Sequence, residues 1–346
     1  MILFKKYLVI LLMAGVVSLG YWIFGSYSKW NWEVEASNTS SLISAGREYY
    51  SLLDGTRVKN KAAQTRRVVA VMVDNHPAAL PQSGLSRAKI VYEVMVEGEM
   101  TRFMAIFDSA QKGEKIGPIR SARPYFLDWL KEYGDAMYIH SGGSPEALNL
   151  LSGSKIFDFN EFSWEKSFWR SEDRSAPHNL YTKSEFLKSP LEERAKKGPP
   201  NTPSYWTYAR ISNSAALGAN KEFTIKYNPY YSVTWKYDKK AANYVRYVNG
   251  EKYADLEGGE VRAQNVVMQY VLEKTVDKEG RLQIITIGSG EAKIAKKGKL
   301  APGTWKKKST NARTLFYDKN GRENVFVPGN TWIEVVPKET VIEVTN

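Results

Sequence analysis

Arg67-Val68-Val69-Ala70-Val71-Met72-Val73-Asp74 is an unbroken apolar run between an arginine and a carboxylate. A half-exposed strand would alternate, and this run has no polar face, so it reads as a strand covered on both sides. Working outward, Ile90, Tyr92, Val94 and Val96 mark one face of a second strand, with Val91, Glu93, Met95 and Glu97 on the other. Phe103 to Phe107 reads as a third strand. Gly117-Pro118 breaks the chain before Ser121, a suitable N-cap for a helix running to Tyr133. Ala136-Met137-Tyr138-Ile139 is a short strand ending at His140. Ser141-Gly142-Gly143 turns into a helix with Ser144 at its N-cap and Pro145 in its first position. Ser189-Pro190 opens a later helix that Gly198-Pro199-Pro200 ends. Strands alternating with helices predict an α/β domain over residues 67–215.

From Phe223 the texture changes. Ser232 to Tyr237, Tyr244 to Val248 and Leu282 to Ile287 alternate, separated by turn signals such as Asn249-Gly250 and Glu279-Gly280. Residues 223–346 are therefore expected to form a mostly β domain, a small sandwich or open barrel. At the other end, Lys5 and Lys6 precede an uncharged run from Tyr7 to Ser28. About 20 apolar residues cross a bilayer as a helix. Tyr21, Trp22, Phe24, Tyr27 and Trp30 suit the far interface, and the lysines favour a cytoplasmic N-terminus. The expectation is a single-pass transmembrane signal anchor over 1–29 and an extracytoplasmic stalk over 30–66, with both soluble domains outside the cell membrane. A cleaved secretory signal is the rival, with a weak cleavage site at Val16 to Gly20.

Hydrophobic residues at 43% and charged residues at 25% exclude wholesale disorder. The balance of 49 Lys+Arg against 37 Asp+Glu, a net charge of +12, favours a polyanionic partner. With no cysteine, the chain has no disulfide, thiolate metal site, cysteine nucleophile or cysteine-linked lipid. Between Lys293 and Arg322 only Asp318 offsets a run of lysines and arginines. That run suits anionic headgroups or wall polymers better than nucleic acid, the alternative being a solvated face. Neither a nucleic-acid partner nor a cofactor is expected.

Candidate chemistry concentrates in the first half. His76, His140 and His178 are the only histidines. Asp74, His76 and His140 lie just past predicted strand ends, where α/β sheets hold ligands. No H-x-H or H-x-x-x-H pair brings two histidines together, so loop hydrogen bonding is expected rather than a metal. Even spacing puts Glu93 and Glu97 on one strand face, where buried carboxylates need partners such as Arg102, Arg120 or Arg123. Such a group is an ion-pair network, a ligand site, or the acid and base of glycoside hydrolysis. Arg120 and Arg123 flank a helix start, and the Ser141–Ser144 turn offers free amides at the next. Both suit a phosphate or carboxylate, ordinary capping being the alternative. There is no Gly-Lys-Ser/Thr element and no G-x-S-x-G, which argues against a P-loop and a serine hydrolase. Phe157, Phe159, Phe162, Trp164, Phe168 and Trp169 crowd a stretch ending in Arg170 and Arg174. Such rings stack on sugars or form a satellite core. The candidate ligand set is Asp74, His76, Glu93, Glu97, Arg102, Arg120, Arg123, His140, Ser144, Arg170 and His178.

Several of these motifs occur together in a known family. Val69 to Ala79 with Pro81-Gln82-Ser83-Gly84-Leu85-Ser86, then Val91-Tyr92-Glu93, Val96-Glu97-Gly98 and Thr101-Arg102-Phe103, resemble the YerB-like lipoprotein family. So do Ile116 to Phe126, His140 to Ala147, Phe168-Trp169-Arg170 and Ala176-Pro177-His178-Asn179-Leu180-Tyr181, with Gly303-Thr304-Trp305 and Pro328 to Trp332 near the end. The resemblance spans about residues 51–337 and implies two domains, classed as of unknown function, in an extracytoplasmic, envelope-facing protein. Such proteins are often lipid-anchored through cysteine; here a transmembrane anchor would substitute. The functional expectation is binding of an anionic or saccharide-containing envelope ligand. The alternatives are a hydrolase of envelope glycan, with Glu97 or Asp74 as base, and a scaffold for wall machinery docking through its β domain.

Overall fold

The computed structural model describes residues 48–200, 205–210, 218 and 222–345. The anchor expected over 1–29 and the first part of the stalk lie outside these residues. Among the described residues no helix is long and apolar enough to cross a membrane. The described part of the expected stalk is folded, and this corrects its boundary. Strands β1 (Tyr49–Tyr50) and β2 (Arg57–Val58) pair, and a 3₁₀ turn follows over Lys61–Thr65. Leu53 joins the core, Asp54 meets Lys89 at 2.8 Å, and the Tyr208 hydroxyl donates to the Leu53 carbonyl at 2.6 Å. The compact body therefore begins at Tyr49.

The apolar run from Val68 to Asp74 forms β3 (Val68–Asp74), buried at every position. It is followed by β4 (Ile90–Met95), β5 (Thr101–Asp108), β6 (Met137–His140), β7 (Phe157–Asn160) and the short pair β8 (Trp169–Arg170) and β9 (Leu180–Tyr181). Helices α1 (Pro124–Leu130), α2 (Pro145–Ser152) and α3 (Ser184–Lys196) intervene or follow. Two helix starts differ from expectation. α1 begins after Arg123 rather than Ser121, because Ala122 stays extended and bridges Gly143. α3 begins at Ser184 and runs through Pro190, which leaves one helical carbonyl without its usual amide donor.

The second half contributes β10 (Glu222–Asn228), β11 (Tyr231–Asp238), β12 (Asn243–Val248), β13 (Asn265–Val271), β14 (Gly288–Lys296), β15 (Lys299–Lys307), β16 (Leu315–Asp318), β17 (Thr331–Pro337) and β18 (Ile342–Thr345). These do not close on themselves as a separate sandwich or barrel. A ten-stranded sheet runs β16-β15-β14-β13-β17-β4-β5-β3-β6-β7, crossing the boundary expected between 215 and 223. The reason lies in β13, which is buried throughout, and β17, buried over Thr331–Val336. Such strands need cover on both faces, and the middle of a large sheet provides it. β17 sits parallel to β4, pairing Glu334 with Glu93.

Strand alternation then sorts the core. Ala70, Met72, Tyr92 and Met104 pack under α1 and α2, while Val71, Val73, Phe103 and Trp332 face β10, β11, β12 and β18 of the smaller sheet. Two buried ion networks join the halves. Arg246 meets Glu93 at 2.7 Å and Glu334 at 3.2 Å, and Lys307 meets Glu132 at 2.7 Å with Arg313 beside it. The basic run after Lys293 is thereby partly internal: Lys307 and Arg313 are buried, Arg322 pairs with Asp318, and the Lys296 ammonium bonds Asn324 and the Val325 carbonyl.

Candidate functional site

β3, β6 and β7 run parallel, so Asp74 and His140 reach the same carboxyl edge of the sheet. Asp74 is buried, and three groups converge on it. Its Oδ1 accepts the His76 amide at 3.1 Å, and its Oδ2 lies 2.7 Å from His178 Nδ1. Arg120 Nε is 3.1 Å from the same Oδ2 but off the hydrogen-bond line. His76 stacks on His178 with ring centroids 4.2 Å apart. Its Nδ1 accepts from the Ala78 amide at 3.0 Å, which leaves Nε2 to carry the ring proton in the neutral form. Among the described residues neither the terminal nitrogens of Arg120 nor Nε2 of His178 makes a hydrogen bond, and both side chains are partly exposed. This is an oriented imidazole and an open guanidinium fork side by side.

Glu97, Arg102 and Arg123 form an adjacent, closed group. Arg123 Nε donates to Glu97 at 2.9 Å, its Nη2 makes a second bond to the same carboxylate, and Arg102 stands 3.7 Å away. Burial pushes Glu97 up, but the Arg123 bonds and both guanidinium charges outweigh it and hold the carboxyl at about 2. Arg102, fully enclosed, is pulled down to about 10 by burial and by Arg123's charge, with Glu97 opposing. Both arginines also donate to backbone carbonyls, Arg102 to Ser121 and Arg123 to Ala122. They are occupied, which leaves Arg120 as the open one of the three.

Glu93 corrects the expectation of a shared face with Glu97. β4 ends at Met95, and Glu97 lies in the 3₁₀ turn Glu97–Glu99, so strand parity no longer relates it to Glu93. Glu93 points to the smaller sheet, where Arg246 and the Tyr231 hydroxyl donate to it, and Thr101 of β5 donates to it from within its own sheet. Its neighbour Glu334 is pushed well above the usual carboxylate range, by burial first and then by Glu93's charge, with Arg246 opposing. Arg246, Glu334 and Tyr231 were not legible as partners, because they lie far along the chain.

The three histidines do not share one pocket. His140 is fully buried, with Nδ1 2.8 Å from the Gly142 carbonyl and Nε2 2.7 Å from Asp158 Oδ1. Among the described residues no three His, Asp or Glu side chains gather as a metal-ligand set. Ser144 caps α2, accepting from the Ala147 amide at 3.3 Å. Arg170 bridges Glu161 at 2.9 Å and Asn179 at 3.1 Å. Glu161, absent from the candidate set, also takes the Ser141 hydroxyl.

The first half matches the family model described as protein of unknown function DUF3048, N-terminal domain, over residues 53–198; the C-terminal domain model matches 223–333. The chain is 36% identical over 292 residues to "Putative lipoprotein YerB" of Bacillus subtilis, covering 82% of this chain and 85% of that protein. The chain belongs to the YerB-like family. The crystal structure of the Bacillus subtilis YerB protein superposes with a TM-score of 0.74 at 32% identity, over 85% of this chain and 99% of that one. The two family models meet in one sheet here, through β17 against β4.

Proposed function

We propose that the site at the carboxyl edge of β3 binds an anionic, saccharide-containing ligand of the cell envelope. The observation that carries this reading is Arg120. It is held beside Asp74, its fork is open, and the stacked pair His76 and His178 flanks it. A guanidinium fork with the His76 Nε2–H as a further donor suits a phosphate or carboxylate. The two occupied arginines, Arg102 and Arg123, add positive charge behind it. The lipoprotein character by which the Bacillus subtilis relative is named supports an extracytoplasmic, membrane-associated setting. With no cysteine in this chain, attachment through the apolar run from Tyr7 to Ser28 is proposed from sequence.

The test is a thermal-shift screen of phosphorylated sugars and muropeptides. A ligand at a hundredfold excess over its Kd stabilises the native state by about 2.7 kcal/mol, enough to raise Tm. Arg120→Ala is expected to abolish that shift, read against the variant's own unliganded Tm, which falls because Asp74 loses the arginine beside it. A ligand response that survives the substitution sinks the site. The Asp74–His178 bond also favours a second reading, a hydrolase. A carboxylate that fixes Nδ1–H leaves Nε2 outward as a general base. Release of product from envelope glycan by the wild type, and not by His178→Ala, would distinguish the hydrolase from the binder.

A further inference from the structure

The aromatic stretch noticed in the sequence divides in two. Phe157, Phe159, Trp164 and Phe168 pack against one another in and around the buried core, Phe159 and Trp164 stacked and the other contacts edge-on or tilted. Phe162 and Trp169 also border a cleft of about 380 Å³, whose wall includes Glu161, Glu165, Arg170 and Leu180. That volume is within the range of small-molecule sites. Phe162 is 71% exposed, an aromatic ring kept in water beside a cavity. Trp169 is braced from behind by Tyr181 and Phe186, each with its ring centroid 6.0 Å away. The polar groups are also pre-set. Glu161 is fixed by Ser141 and Arg170, and Arg170 by Asn179, while the Glu165 carboxylate has no hydrogen-bond or ion-pair partner among the described residues.

We infer that this cleft is a pyranose-binding subsite. The apolar C–H face of a sugar ring matches Phe162 and Trp169, and vicinal hydroxyls match carboxylate and guanidinium acceptors and donors held in fixed positions. Two carboxylates against one guanidinium disfavour an anionic ring, so the subsite takes a neutral sugar. Asn179, which holds Arg170, follows His178 directly in the chain, placing the cleft next to the Arg120 site. Resting on the reading above for that neighbour alone, the ligand class is a glycan with a neutral pyranose adjoining an anionic group.

The experiment is calorimetric titration of the full chain in detergent with a β-1,4-linked N-acetylglucosamine tetramer, a neutral probe. Binding is expected in the wild type. Phe162→Ala and Glu165→Gln, at exposed positions with little packing to lose, should each weaken it about tenfold, or about 1.4 kcal/mol. Tyr230→Ala, a still more exposed ring outside the cleft, should leave it unchanged. No binding at millimolar tetramer, or binding indifferent to both cleft substitutions, overturns the subsite. Tetramer binding that depends on Phe162, without any response to phosphorylated sugars, upholds the cleft and overturns the anion site alone.

Discussion

Arg123 and Glu334 show how burial decides what a charged side chain can do. Arg123 looked available for a ligand from its place at a helix start, but it is bonded to Glu97 and the Ala122 carbonyl. Arg123→Ala should therefore destabilise the unliganded protein. A loss of about 2 kcal/mol in urea unfolding is expected, below the value for a fully buried pair because Glu97 keeps part of its surface in water. Glu97's folded pKa of about 2 lies below its ordinary 4.5. The pairing thus contributes fully above that ordinary value and is lost as pH falls through 2. The gap between wild type and Arg123→Ala should narrow across the same window; a gap independent of pH would show that another contact is responsible. Glu334 has the opposite sign. Its raised pKa means that the native state retains a proton the unfolded chain releases, so stability falls as pH rises above about 4.5. Glu334→Gln should be more stable than wild type at neutral pH and lose that advantage near pH 4. A variant less stable at neutral pH would show that Glu334 carries its charge.

At the level of elements, the strands of the first half were readable because complete burial and simple alternation leave distinct patterns. β3 is the clearest case. Boundaries were harder where tertiary contact overrides local signals: Ala122 is extended by its bridge to Gly143, and α3 tolerates Pro190. The segment Tyr49–Thr65 carries a polar composition typical of a linker, yet its backbone is tied by the Leu53 and Asp54 carbonyls to Tyr208 and Gly329. Deleting residues 49–66 should lower Tm measurably, since it uncovers the core under Leu53 and strips Lys89 of its partner. An unchanged Tm would return this segment to the status of a tether.

For the whole molecule, the sheet makes the two halves one cooperative unit. A fragment of residues 48–200 would expose the edge of β4 that β17 covers, together with Tyr92 and Val94 beneath it. It would also leave Glu93 without Arg246, and Glu132 without Lys307. This fragment is expected to show no cooperative denaturant transition and no near-ultraviolet dichroism, whereas the whole body unfolds in one step. A sharp transition from the fragment would mean that the first half is a domain in its own right.

The amino-acid sequence by itself determined the class of the elements, the family, and which residue types gather near the ends of β3 and β6. Those depend on local periodicity, turn chemistry and contiguous motifs, all of which are properties of neighbouring residues. Which charges are paired and which remain open was decided only by tertiary structure. Glu93 finds Arg246 and Glu334 across gaps of more than a hundred residues, Arg123 turns back to Glu97, and Arg120 alone of the three arginines keeps its fork free. The physical reason is that an ion pair is selected by distance and burial in three dimensions, to which sequence spacing is blind beyond a few turns of chain.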